Sequence, residues 1–139
     1  MMKGMKMLTA AVGLALVAAC ASGARAPVPR VRLGDTFRLS VGQTAVVAGE
    51  PLTVRFVTVI EDSRCPLGVQ CVSAGAGRIQ VSIHAADRDP SVVVLSTDPP
   101  QPNRVVYAPY VVALVALDPR PRQTSVPPIY VATLRVTRE

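Results

Sequence analysis

The sequence predicts an all-β fold, an antiparallel β-sandwich of seven or eight strands, immunoglobulin-like in outline. Three observations carry this. Apolar and polar residues alternate with a period of two in several runs, the mark of strands with one buried face. Clusters of turn-forming residues separate those runs at short intervals. No stretch from 35 to 139 carries an amphipathic helical stripe. Short strands spaced by turns belong to sandwiches and barrels.

The strands follow in order. Phe37, Leu39 and Val41 alternate with Thr36, Arg38 and Ser40, and a second strand is expected near 44–48. Leu52, Val54 and Phe56 alternate with Thr53 and Arg55, and the run continues through Val57 to Ile60 with apolar residues on both faces. Ile79, Val81 and Ile83 alternate with Arg78, Gln80, Ser82 and His84. Further strands are expected near 91–96 and 129–137, with Tyr110 to Leu117 between them as a second two-faced apolar run. Such runs suit central strands or strands covered by a neighbouring segment. The expected core is led by Phe37, Leu39, Val54, Phe56, Ile79, Val81 and Leu134. Gly49-Glu50-Pro51, Asp87 to Pro90, Asp98 to Asn103 and Asp118 to Pro128 supply the turns. The thirteen prolines belong in loops or at edges, because proline has no N–H to give a strand ladder. The pattern leaves the strand order open.

Ahead of this domain, Lys3 and Lys6 precede an uncharged run from Leu8 to Ala19. The run is too short to cross a bilayer, which takes about 20 apolar residues, and it fits the apolar region of a signal peptide. It ends in Val17-Ala18-Ala19-Cys20. Small residues directly before a cysteine resemble the bacterial lipobox. That resemblance implies cleavage before Cys20 and a diacylglycerol on its thiol. An ordinary secreted protein needs no cysteine there. Ala21 and Ser22 follow with no Asp, which by resemblance to sorting in Gram-negative cells implies the outer membrane. The expected organisation is a signal peptide at 1–19, a lipidated cysteine and flexible tether at 20–34, rich in small residues and Pro, and one domain at 35–139. The membrane is then a partner through the lipid anchor.

Cleavage removes both lysines from the 15 basic residues, leaving 13 arginines against 9 acidic residues, a formal charge of +4. A nucleic-acid binder clusters its cations. Here the arginines stand singly from Arg25 to Arg138, so nucleic acid is not an expected partner, although a weak attraction to anionic lipid or polysaccharide is compatible with the charge. Of three cysteines, lipidation takes Cys20 and leaves Cys65 and Cys71 as an even pair in a compartment where disulfides persist.

The most distinctive segment is Glu61-Asp62-Ser63-Arg64-Cys65-Pro66-Leu67-Gly68-Val69-Gln70-Cys71-Val72-Ser73-Ala74-Gly75. A connection this long within a small domain is often functional. It resembles a D-S-R-C-P-x-x-V-x-C-[VI]-W-x-G pattern of small bacterial envelope lipoproteins. Tyr107-Ala108-Pro109-Tyr110 and Pro127-Pro128-Ile129-Tyr130 also resemble their C-terminal halves. The similarity spans roughly residues 35–137, and only the cysteine segment is specific. The resemblance implies a secreted β-domain and a Cys65–Cys71 disulfide, and it implies no activity. The chain departs at Ser73, where the pattern has Trp, so the role of that aromatic is lost or moved elsewhere.

Several readings of the segment compete. As a structural staple, the disulfide stiffens a long loop in a small exported domain. As a binding loop, with Glu61, Asp62, Arg64, Pro66 and Val69 as candidate contacts, it gains from preorganisation. Arg64 then anchors a partner carboxylate bidentately, or else pairs locally with Glu61 or Asp62. A protease inhibitor is one version of this reading. A metal site drawn from Cys65, Cys71 and His84 falls short of the four ligands of structural zinc, and His84 alternates onto a polar face, so no metal or cofactor is expected. A Ser-His-Asp unit would have to use His84, the one histidine, and nothing places a nucleophile beside it. No esterase, zincin or phosphate-loop motif is present. Glu61 and Asp62 are adjacent, so on a strand they point to opposite faces. The expectation is a lipid-anchored, non-catalytic envelope protein with a structural or protein-interaction role and an envelope protein as partner. The alternative is a periplasmic metal-binding protein or an enzyme using the 61–75 loop.

Overall fold

The computed structural model describes Gly23 and residues 25–139. The expected signal peptide and Cys20 lie outside the described residues. Among the described residues nine strands are formed: β1 (Arg30–Val31), β2 (Thr36–Ser40), β3 (Thr44–Val47), β4 (Leu52–Asp62), β5 (Gly77–Ala85), β6 (Ser91–Ser96), β7 (Arg104–Tyr107), β8 (Tyr110–Asp118) and β9 (Val131–Arg138). They make an antiparallel β-sandwich of a five-stranded sheet, β1-β3-β4-β5-β6, and a four-stranded sheet, β2-β9-β8-β7. β1 alone pairs in parallel, with β3. The outline is the two-sheet one of immunoglobulin domains, but the order is not their ABED and CFG division: β3 to β6 form one meander and β7 to β9 another.

Alternation explains the core. Leu39, Val54, Phe56, Ile79, Val81 and Leu134 are completely buried and Phe37 nearly so, together with Ile83, Leu95, Val112 and Val136 from the same inward faces. Each such side chain contributes roughly 1.5–3 kcal/mol by leaving water. All thirteen prolines fall outside the strands, as their missing N–H requires. Two strands escaped the periodicity. β7 sets Val105 beside Val106 and buries neither fully, so it shows no alternation, and β1 has two residues, too few to show a period. β1 extends the sandwich into the segment read as a tether. Val31 is buried, Val46 N donates to Pro29 O at 2.9 Å, and Ala48 N donates to Val31 O at 2.7 Å.

The two-faced apolar runs lie in β4 and β8, which are internal strands of their sheets. Both are also bulged, with register shifts between Phe56 and Thr58, between Val59 and Glu61, and between Leu114 and Ala116. A bulge inserts an unpaired residue and resets which face follows. Leu52, Val54 and Phe56 therefore point inward, then Val59 packs on the core, while Ile60 and Val115 are left about half exposed. The second reset in β4 delivers Asp62 to the inner side.

At the opposite end of the sandwich the sheets are tied by Glu50. It sits in the β3–β4 turn, and its Oε2 accepts from Tyr110 Oη and from Arg138 Nη2, each at 2.7 Å. Hydrogen bonds from Arg138 and then Tyr110 hold the Glu50 carboxyl below its ordinary pKa.

Candidate functional site: a braced loop end

β4, β5, β8 and β9 bring residues 63–76 and 119–130 to one end of the sandwich. The centre of this end is a buried ion pair. Arg64 Nε donates to Asp62 Oδ1 and Arg64 Nη2 to Asp62 Oδ2, both at 2.8 Å. The two side chains are only 7% and 6% exposed. The guanidinium also donates to Leu117 O at 2.5 Å and to Pro119 O at 2.9 Å, and Tyr130 Oη donates to Asp62 Oδ2 at 2.9 Å. One arginine thus joins the end of β4 in the first sheet to the end of β8 in the second. Gly77 leaves the space for it, since a Cβ there would stand 2.8 Å from Leu117 Cδ2 and 3.2 Å from Arg64 Nε.

Burial is the largest single influence on Asp62 and pushes its pKa up. The hydrogen bonds from Arg64 and Tyr130, with the Arg64 charge, together outweigh it and hold the carboxyl below its ordinary value. The bond to Asp62, opposed by burial and helped by the same charge, raises Arg64. Burial, then the bond to Asp62, raises Tyr130. These are the signatures of a pair that stays charged because each partner satisfies the other.

Around this anchor the loop continues the antiparallel ladder beyond the strands. Ser63 N donates to Ala76 O and Cys65 N to Ala74 O, each at 2.9 Å. The Cys65–Cys71 disulfide closes the tip, with Cα atoms 5.8 Å apart. Leu67 N donates to Pro121 O at 3.0 Å, locking the ring to the 119–130 segment. That segment curves around a cleft of about 400 Å³ lined by Pro119, Arg120, Pro121, Arg122, Val126 and Pro128 among others. Among the described residues neither Arg120 nor Arg122 enters an ion pair.

The structure joins some of the expected site residues and separates others. Asp62 meets Arg64, and Cys65 meets Cys71. Glu61 points the other way, as alternation requires, and pairs with Arg78 at 3.2 Å on the surface. Pro66 and Val69 form a turn within the ring, with Val69 N donating to Pro66 O at 3.3 Å. Of the two roles open to Arg64, the local pair with Asp62 is the one formed, and four of its five N–H groups are committed within the domain. His84 pairs with Thr53 near the far end of β5, so it does not converge with the cysteines. Sequence reasoning missed Tyr130 as a site residue. The available signal was scarcity: the chain has three tyrosines, and each hydroxyl makes a hydrogen bond to a distant segment.

Fold and site together define a two-sheet β-sandwich whose one end is braced by a disulfide and a buried arginine. Comparison with protein-family models, with curated proteins and with solved structures finds no match to this chain.

Proposed function

We propose that the chain is a lipid-anchored cell-envelope protein with a non-catalytic structural or protein-interaction role, held at the outer membrane through Cys20. The observation that carries this reading is the cysteine assignment. Cys65 and Cys71 are joined to each other, which leaves Cys20, directly behind the apolar run and Val17-Ala18-Ala19, as the cysteine free for lipid. An internal disulfide in a small β-domain agrees with an oxidising compartment. The Asp-Ser-Arg-Cys-Pro resemblance to envelope lipoproteins gains a physical meaning as well: Asp62 and Arg64 are the pair that seats the disulfide loop on the sandwich. With Arg64 turned inward, any protein contact falls to the exposed side of the ring and to the neighbouring proline-rich segment.

The test is metabolic labelling with a radioactive fatty acid. Wild-type protein should carry label. Cys20→Ser should carry none and accumulate as unprocessed precursor or appear as a soluble product. Equal labelling of both proteins would exclude the anchor.

A further inference from the structure

We infer that the loop end of the sandwich is a membrane-facing surface, seated on an anionic phospholipid leaflet by apolar loop tips and two unpaired arginines. The geometric half of the inference rests on the lipid-anchor reading of Cys20; the chemical half stands on the surface itself.

The course of the chain supplies the geometry. β1 lies parallel to β3 with Arg30 opposite Val46 and Val31 opposite Val47. β3 is antiparallel to β4 with Val46 opposite Thr53 and Thr44 opposite Arg55. Going back from Val31 toward the N-terminus therefore follows β4 forward, toward Asp62 and the disulfide. Residues 25–29 keep this heading beside Gly42, Gln43 and Thr44. Five peptide units separate Arg25 from Cys20, so their Cα atoms lie within about 18 Å whatever the conformation between them. β4 has eleven residues, about 36 Å at the usual strand rise. A leash half the length of the sandwich brings the loop end, rather than the opposite end, to the surface that holds Cys20.

The chemistry of the two ends agrees. Val72 is fully exposed, Ile129 is 83% exposed, Val126 69% and Leu67 49%, all on loops of this end. Among the described residues, the turns of the opposite end, 32–35, 48–51, 86–90 and 108–109, hold no exposed large apolar side chain. That end instead carries Asp35, Glu50, Asp87, Asp89 and Glu139 against Arg32, Arg88 and Arg138, a formal −2, with Asp87 and Glu50 paired to Arg88 and Arg138. At the loop end Glu61, Asp62 and Asp118 are paired with Arg78, Arg64 and Arg38 and Asp98 accepts from Thr97 Oγ1, while Arg120 and Arg122 flank the cleft with no ion pair among the described residues. An anionic surface attracts one end and repels the other. Apolar side chains beside cations are the pairing that binds a protein to the headgroup region. An apolar patch alone would fit a second copy of the chain equally well; the arginines and the short leash select lipid.

The experiment uses the full chain, exported and processed, reconstituted in vesicles of phosphatidylethanolamine and phosphatidylglycerol. A polarity-sensitive fluorophore is placed through Val126→Cys or Ile129→Cys, and for comparison through Val92→Cys on β6. Quenchers are carried on the acyl chains. The 126 and 129 labels should shift to the blue and be quenched, and the 92 label should do neither. Two labels in water, or quenching at 92 instead, would overturn the inference. Shielding of 126 in detergent before any vesicle is added would show a second copy covering this end, and would also overturn it. Each basic residue near an anionic surface is worth about fivefold, so Arg120→Glu with Arg122→Glu should lower the docked-to-free ratio at least roughly 25-fold; unchanged quenching in that variant would count against the surface. The mass of the N-terminal peptide separates the two readings. A lipidated Cys20 with a water-exposed 126 label defeats the surface and spares the anchor. An unlipidated protein whose 126 label is shielded on adding preformed vesicles spares the surface and defeats the anchor, and one that stays unshielded defeats both.

Discussion

Replacing Arg64 with Ala is expected to destabilise the domain by about 3–5 kcal/mol, the range for breaking one side of a buried ion pair. The substitution leaves the Asp62 carboxylate, 6% exposed, with Tyr130 as its one remaining side-chain donor among the described residues. It also strips Leu117 O and Pro119 O of the donors that reach them across the sheet interface. A domain this size has about 5–15 kcal/mol in total, and each kcal/mol moves its melting temperature by roughly 4–8 °C. A fall of at least about 12 °C should therefore be seen by circular dichroism. The double variant Asp62→Leu with Arg64→Met should melt well above Arg64→Ala, because it removes both charges rather than orphaning one. A melt of Arg64→Ala within about 3 °C of wild type would place the pair in the class of exposed ion pairs, worth about 1 kcal/mol or less. The same pair sets an acid limb. Asp62 is depressed in the folded state, so its contribution is fully present above the unfolded carboxyl value of about 3.9 and is lost as pH falls through the lower folded value. Wild-type stability should drop below about pH 4, and the Asp62→Leu, Arg64→Met protein should lose that part of the slope.

Much of this architecture was legible in the sequence, and the exceptions have physical reasons. Seven strands showed themselves because Phe37 and Leu39, or Ile79, Val81 and Ile83, repeat with the period of a half-buried sheet. The bulges could not be read. Unbroken alternation from Leu52 would point Thr58 and Ile60 inward, yet both are exposed and Val59 packs on the core instead. An inserted residue leaves no mark in composition, and its place is fixed by the partner strand. The site was legible in its local half. Asp62, Arg64, Cys65 and Cys71 stand within ten residues, and local pairing of Arg64 was one of the two outcomes the spacing allowed. Its other half comes from Leu117, Pro119 and Tyr130, which lie 53 to 68 residues away from the groups they bond. No local rule relates such positions. The sequence therefore left Arg64 between a partner and a local acid, and its role as a bolt between sheets came only with Leu117 O and Pro119 O.

The position least tolerant of change in the loop is Gly75, and Gly75→Ala is expected to cost at least about 3 kcal/mol, more than opening the disulfide. Its φ is +64°, a conformation in which a side chain is strained by about 1–2 kcal/mol. Strain is the smaller part. A Cβ at this position would lie 1.8 Å from Ser63 O, 2.4 Å from Ser63 C and 3.0 Å from Arg64 N. All three are main-chain atoms, so no side-chain rotation relieves the contact. The two strands of the loop must part, breaking Ser63 N to Ala76 O and Cys65 N to Ala74 O, at about 1 kcal/mol each, and dragging Arg64 from Asp62. Gly42→Ala is the control: its φ of +86° carries the same strain, but a Cβ there meets nothing within 4 Å. That variant should lose only about 1–2 kcal/mol. Cys65→Ser with Cys71→Ser should fall near 2 kcal/mol, the loop-closure entropy of so short a ring, and leave a folded sandwich whose core is untouched. Urea midpoints of the three proteins rank these effects directly. The expected order is Gly75→Ala least stable, with the other two close together. Equal midpoints for Gly75→Ala and Gly42→Ala would mean that the 63–76 ladder separates freely, and that the arginine, rather than the main chain, holds the loop in place.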